Sequence, residues 1–237
     1  MFVATPRSHQ ASSVTASPAT AAPQPHPAST DAPIAAPGAT GTVTDAALVQ
    51  RALDALRSTP TGARVVDRLL AVRAKVAVLS DGEFAAVGRA DARAFYDPAT
   101  QTMSLRRSDL LDVDRSRVAA VALAHEGTHL LDDVGRVAAS WLARTSATIA
   151  SAGGAGTSRG GELARQAAFE LTMIREARAF TVAGQVARDL GVALPADDPT
   201  VVAARGGNDP GTYAAVWQRL LESPYNAQAR TAPVTAL

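Results

Sequence analysis

The stretch Val118–Asp133, VAAVALAHEGTHLLDD, decides how the rest of the chain is read. Its apolar residues Val118, Val121, Ala122, Leu123, Leu130 and Leu131 fit a helix buried in a core. Inside it, residues 125–129 read H-E-G-T-H. Positions i and i+4 lie on one helix face about one turn apart, so His125 and His129 can share one metal ion. Glu126 stands beside that pair, within reach of a metal-held water. Zinc with nitrogen and oxygen ligands brings the pKa of its water toward neutrality. A carboxylate placed there takes the water's proton during attack on a carbonyl and returns it to the leaving amine. The spacing therefore predicts zinc-assisted hydrolysis with Glu126 as general base.

Two plainer readings compete. Two core histidines can fall four apart by chance, but here the spacing coincides with a buried helix. A di-iron bundle needs Glu-x-x-His on two helices. Glu126 and His129 supply one such unit. The remaining histidines, His9 and His26, lie in a segment without a core pattern, so a second unit is missing.

That histidine count also constrains the third ligand. A catalytic zinc takes three protein ligands and keeps one position open. The chain has no cysteine, and no other histidine falls in its folded part, so the third ligand should be a carboxylate. Asp132 and Asp133 follow His129 on the same helix and could hardly fold back to the same ion. They fit better as partners for a ligand histidine's other N–H, or as helix-end residues. Glu162, Glu170 and Glu176 remain, on a later helix. Glu176 shares an apolar stripe with Phe169, Met173, Phe180 and Ala183, where a carboxylate needs a partner. Glu170 has apolar neighbours too, in Leu163, Ala167, Ile174 and Ala177. The stripe favours Glu176 and leaves Glu170 as the alternative. For either, the plain alternative is an ion pair with Arg165, Arg175 or Arg178.

Outward from this helix, the chain of 237 residues divides into three parts. Residues 1–43 are rich in Ala, Pro, Ser and Thr without apolar periodicity, and read as a disordered leader. Residues 44–224 read as the folded domain, and 225–237 as a loose tail. Thr44 or Asp45 should cap a first helix with Leu48, Leu53 and Leu56 inside. After a break at Thr59-Pro60-Thr61-Gly62, a second helix carries Val65, Val66, Leu69 and Leu70. Strands are expected at Lys75–Leu79, Ala92–Tyr96 and Thr102–Leu105, the last two around the turn Asp97-Pro98-Ala99-Thr100. Helices follow at about 114–133, 135–150, 161–190 and 212–222, with Gly191 closing the long one. Residues 151–161 (SAGGAGTSRGG) read as a mobile loop, either a cleft lid or a plain connection. Residues 195–211 read as a loop. Helices, then a small sheet, then helices give an α+β fold.

The formal net charge of +1 points to no nucleic acid and no acidic membrane surface as partner. No stretch is long and apolar enough for a membrane span, and the start MFVATPRSHQ lacks the pattern of a signal peptide. The expectation is a protein that stays in the cytoplasm or leaves by a signal-independent route. Sequence leaves the oligomeric state open.

The arrangement resembles the gluzincin group of zincin metallopeptidases, with HExxH on one helix and a glutamate ligand on a later one. The run Phe95-Tyr96-Asp97 to Met103-Ser104-Leu105 resembles their edge-strand region. Ala122–Asp132 resembles their active-site helix. Glu176-Ala177-Arg178-Ala179-Phe180 is similar to the glutamate helix of small bacterial members. The resemblance covers roughly residues 92–190 and implies a compact, mostly helical zincin-like domain with a small mixed sheet. It implies a zinc peptidase acting on a protein or peptide substrate, with His125, His129 and Glu176 as ligands. It also suggests a secreted bacterial effector or toxin. The chain departs from the larger peptidases in lacking an extra histidine to stabilise the oxyanion, a role left to Tyr213, Tyr225 or Arg178. The alternative is an inactive zinc-binding or regulatory module on the same fold. The strand Thr102–Leu105 is expected to hold an extended substrate by strand addition.

Overall fold

The computed structural model describes residues 43–154, 156–196, 198–206 and 210–222. Apart from Val43, the leader read at 1–43 and the tail 225–237 lie outside the described residues, and with them His9, His26 and Tyr225. Thr44 caps α1 (Asp45–Arg57), its hydroxyl accepting from the Ala47 N–H at 3.3 Å. The α1 face built from Leu48, Ala52, Leu53 and Leu56 is buried. The break expected at residues 59–62 is instead the start of α2 (Pro60–Ala71). Thr59 accepts from the Gly62 N–H at 2.9 Å, and Pro60 takes the first helical position, where a missing N–H costs nothing. Gly62 is required there by space. A Cβ would lie 2.0 Å from the Leu56 carbonyl oxygen.

Three strands form one mixed sheet, β1 (Lys75–Leu79), β2 (Ala94–Asp97) and β3 (Thr102–Arg106). A short helix, α3 (Asp81–Ala86), stands between β1 and β2, started by a reciprocal capping box of Ser80 and Glu83. The β2–β3 turn forms as expected, with the Asp97 carboxylate accepting from the Ala99 N–H and the Thr100 hydroxyl. The sheet order is β1-β3-β2, with β1 parallel and β2 antiparallel to β3. This corrects the expectation for Thr102–Leu105. That strand is central, both its edges are paired, and it has no free edge for a substrate. The edges belong to β1 and β2.

After α4 (Arg107–Leu111), the Asp112 side chain caps α5 (Val113–Val134), which carries the H-E-G-T-H motif. Then come α6 (Val137–Ser151), α7 (Ser158–Leu190), α8 (Pro199–Gly206) and α9 (Pro210–Glu222). Gly191 ends α7 at φ 64°, the left-handed position expected of it. The fold is α+β and mostly helical with a small mixed sheet. Residues 195–211, expected as loop, contain α8 and the start of α9. The expected 151–161 loop is shorter, since 158–161 already belong to α7. From Ser158 to Glu176, α7 rises about 27 Å at 1.5 Å per residue. The connection therefore enters α7 far from Glu176, as a plain link between helices and not a lid over that residue.

One core cluster joins α1, α2, the sheet, α5 and the last turns of α7, with Leu48, Leu56, Leu105 and Leu123 fully enclosed. Each such side chain contributes roughly 1.5–3 kcal/mol by leaving water. A second cluster joins α7, α8 and α9 through Met173, Ala177, Ala203, Val216 and Leu220. The α5–α7 pair therefore stands between two cores, which fixes both helices along most of their length. No helix among the described residues is long and apolar enough to cross a membrane.

Candidate metal centre

Helix α5 presents His125 and His129 on one face, their Nε2 atoms 3.1 Å apart. Helix α7 crosses that face and brings Glu176 to both. Its Oε2 lies 3.5 Å from Nε2 of His125, and its Oε1 lies 3.5 Å from Nε2 of His129. Tetrahedral zinc at about 2.0–2.1 Å from its ligands separates two donor atoms by about 3.3 Å. His125, His129 and Glu176 each offer one donor atom, the three lying within 4.8 Å of one another, so the group could hold a metal ion. Their side chains are 15%, 12% and 19% exposed, so the group is mostly desolvated yet open on one side. The Phe180 ring, 4.4 Å from the His125 ring and edge-on to it, holds that imidazole in place.

The charges in the group are tightly linked. Burial opposes a proton on His125, but the Glu176 carboxylate bonded to it, with the charges of Glu126, Glu176 and Asp198, outweighs burial and raises its pKa. Burial, reinforced by the neighbouring His125, lowers His129 to about 4. Burial pushes Glu176 up, but the hydrogen bond and charge of His125 and the charge of His129 prevail and lower it. The group thus sets the Glu176 carboxylate against two imidazoles whose pKa values are pushed in opposite directions.

Glu126 is raised by burial, against the pull of His125 and of Arg89. A carboxylate with a raised pKa is suited to taking and returning a proton near neutral pH. The backbone N–H of Tyr96, on β2, faces this carboxylate. The strand beside Glu126 is therefore β2, an edge of the sheet.

The other carboxylates considered as ligands are placed elsewhere. Glu170 accepts from the Gln166 amide at 2.9 Å, and Glu162 pairs with Arg165. Asp132 pairs with Arg178 at 3.0 Å and Asp133 with Arg175 at 2.7 Å. These two aspartates therefore bind arginines where the sequence had offered them as histidine partners. Arg165, Arg175 and Arg178 all pair with residues other than Glu170 and Glu176. Arg178 is thus engaged and not free for an oxyanion. Tyr213 is 37% exposed and stacks at a tilt on Trp217, 6.2 Å away.

Three residues near the centre escaped the sequence reading: Asp198, Arg89 and the Tyr96 amide. Asp198 starts α8, accepting from the Thr200 N–H at 2.8 Å, while its charge acts on His125. The run Asp198-Pro199-Thr200 is a helix-start signature that a loop reading of a Pro/Asp/Gly-rich stretch overlooks. Arg89 and the Tyr96 amide carry no local signal. Comparison with known proteins returns no match among family models, curated proteins or solved structures.

Proposed function

We propose that this chain is a zinc-dependent metallopeptidase of the gluzincin kind, hydrolysing a protein or peptide substrate. The observation that carries the reading is the meeting of His125, His129 and Glu176 at 3.1–3.5 Å with Glu126 beside them. Zinc in that triangle would supply a Lewis acid and a water of lowered pKa. His125 and His129 would hold it as neutral imidazoles, and Glu176 would offset its charge. Glu126 accepts the proton of the attacking water and delivers it to the amine leaving group. The outer edge of β2 offers backbone groups to an extended peptide, beside the Tyr96 N–H that faces Glu126.

The test is hydrolysis of a mixed peptide library, abolished by a chelator and restored by zinc. Glu126→Gln should keep the metal and lose turnover by at least about 10²-fold, the lower range for general-base catalysis. Turnover equal to wild type in that variant would refute the mechanism. A second reading, a zinc-binding module without turnover, draws on the engagement of Arg178 by Asp132 and the position of the Tyr96 hydroxyl beside Asp133. Arg178 is thus held away from the centre, while the buried Tyr96 hydroxyl has no hydrogen-bond partner. Zinc-dependent cleavage of the library would dismiss it.

A further inference from the structure

Two ion pairs bracket Glu176. Arg175 and Arg178, one residue before it and two after, reach from α7 to Asp133 and Asp132 on the last turn of α5. Arg175 also lies 3.5 Å from the His129 carbonyl oxygen, on the ligand residue itself. The cross-links thus fall within one turn of ligands on both helices. We propose that Arg175 and Arg178 are positioning residues that set the register of α7 on α5 and so the size of the donor triangle. The inference rests on the metal-centre reading and adds what holds that centre in shape.

Packing holds the two helices together, and the ion pairs add a directional constraint beside the ligands. Near the ligands, small buried residues (Ala120 and Ala124 on α5; Ala177, Ala179 and Ala183 on α7) alternate with larger ones such as Leu123, Leu130 and Met173. Small side chains let helices approach closely but provide few projections to stop one sliding on the other. One residue of slide is about 1.5 Å, enough to break a triangle of zinc size. A guanidinium fork meeting a carboxylate has a defined direction and length, so it resists sliding. The Asp132 pair is also a poor stabilising device. Asp132 is 2% exposed, its Oδ2 has no hydrogen-bond partner, and Arg178 is half exposed. Replacing a buried, incompletely bonded carboxylate together with its partner by apolar groups is often neutral or stabilising. What the pair supplies is register.

The experiment measures zinc affinity by competition with a chromophoric chelator and the melting temperature of metal-free protein, for wild type, Asp132→Leu/Arg178→Met, Arg175→Met and Arg175→Lys. Visible spectra of the cobalt-loaded forms report the coordination geometry. The double variant is expected to melt no lower than wild type without metal, yet to bind zinc 10–100-fold more weakly with an altered cobalt spectrum, the usual cost of losing a group that orients ligands. Arg175→Met should show a similar loss of affinity and Arg175→Lys a partial recovery. Unchanged zinc affinity and cobalt spectra in both the double variant and Arg175→Met would overturn the proposal. So would a double variant that melts lower or does not fold without metal, since the pair would then serve stability. Absence of zinc binding by wild type would overturn the metal centre itself, and this inference with it.

Discussion

Gly184 lies in α7 where α8 crosses it, and a methyl group there has no space. A Cβ at Gly184 would stand 2.3 Å from Cβ of Ala203 and 2.7 Å from the backbone nitrogen of Ala204. Carbon atoms rest at about 3.5–4.0 Å, so the pair overlaps by more than about 1 Å. The obstacle includes backbone, so no rotamer change relieves it and α8 must move. Overpacking of this kind costs about 1–3 kcal/mol, and this contact belongs at the upper end. Alanine returns about 1 kcal/mol through its helix propensity, leaving a net loss of about 2 kcal/mol for Gly184→Ala. For a chain of this size that lowers the melting temperature by about 4–8 °C. Gly82→Ala is the matched control. Gly82 is also helical, and its nearest obstacle is the Ser80 hydroxyl oxygen at 4.0 Å, so alanine should be neutral or slightly stabilising. Thermal melts of both variants followed by circular dichroism decide the matter. A Gly184→Ala protein melting at or above wild type would refute the close α7–α8 contact and the reasoning built on it.

Thr59→Ala should cost about 1 kcal/mol in a denaturant titration, because it removes the buried cap that accepts from the Gly62 N–H. Glu83 accepts hydrogen bonds from the Ser80 hydroxyl and N–H, which together lower its pKa from the ordinary 4.5. A lowered carboxylate stabilises the fold above its unfolded pKa and loses that contribution as pH falls through the folded value. The stability difference between wild type and Glu83→Gln should therefore be constant above about pH 5 and shrink below 4.5. A difference that grows in acid would contradict the capping box.

The parts of this molecule legible in sequence are those written in local spacing. His125 and His129 are four apart on a helix, and helix geometry alone brings their rings together. Glu176 was partly legible, since a carboxylate in a stripe with Met173 and Ala183 needs a partner. The Phe180 ring of the same stripe does pack on His125. Glu170 differed only through its contacts, and those depend on how α7 lies on α5. The sheet order was not legible because β1 pairs with β3 across 22 intervening residues, and nothing local says which of two adjacent strands it will choose. The same applies to Asp132 and Asp133, whose arginine partners sit on α7, more than forty residues away. Short α3 and α4 lack the length over which periodicity can be read. The Thr59-Pro60 break was misread because threonine and proline mark both turns and helix starts, and only the following apolar face tells them apart.

The central claim is that His125, His129 and Glu176 hold one zinc ion, and elemental analysis tests it most directly. Zinc per chain should be measured in purified, zinc-reconstituted wild type, Glu170→Ala and Glu176→Ala. The account predicts about one zinc per chain in wild type and Glu170→Ala, and a large loss in Glu176→Ala. Retention in Glu176→Ala with loss in Glu170→Ala would contradict the ligand set. No zinc in wild type would make the histidine pair structural and end the enzymatic reading.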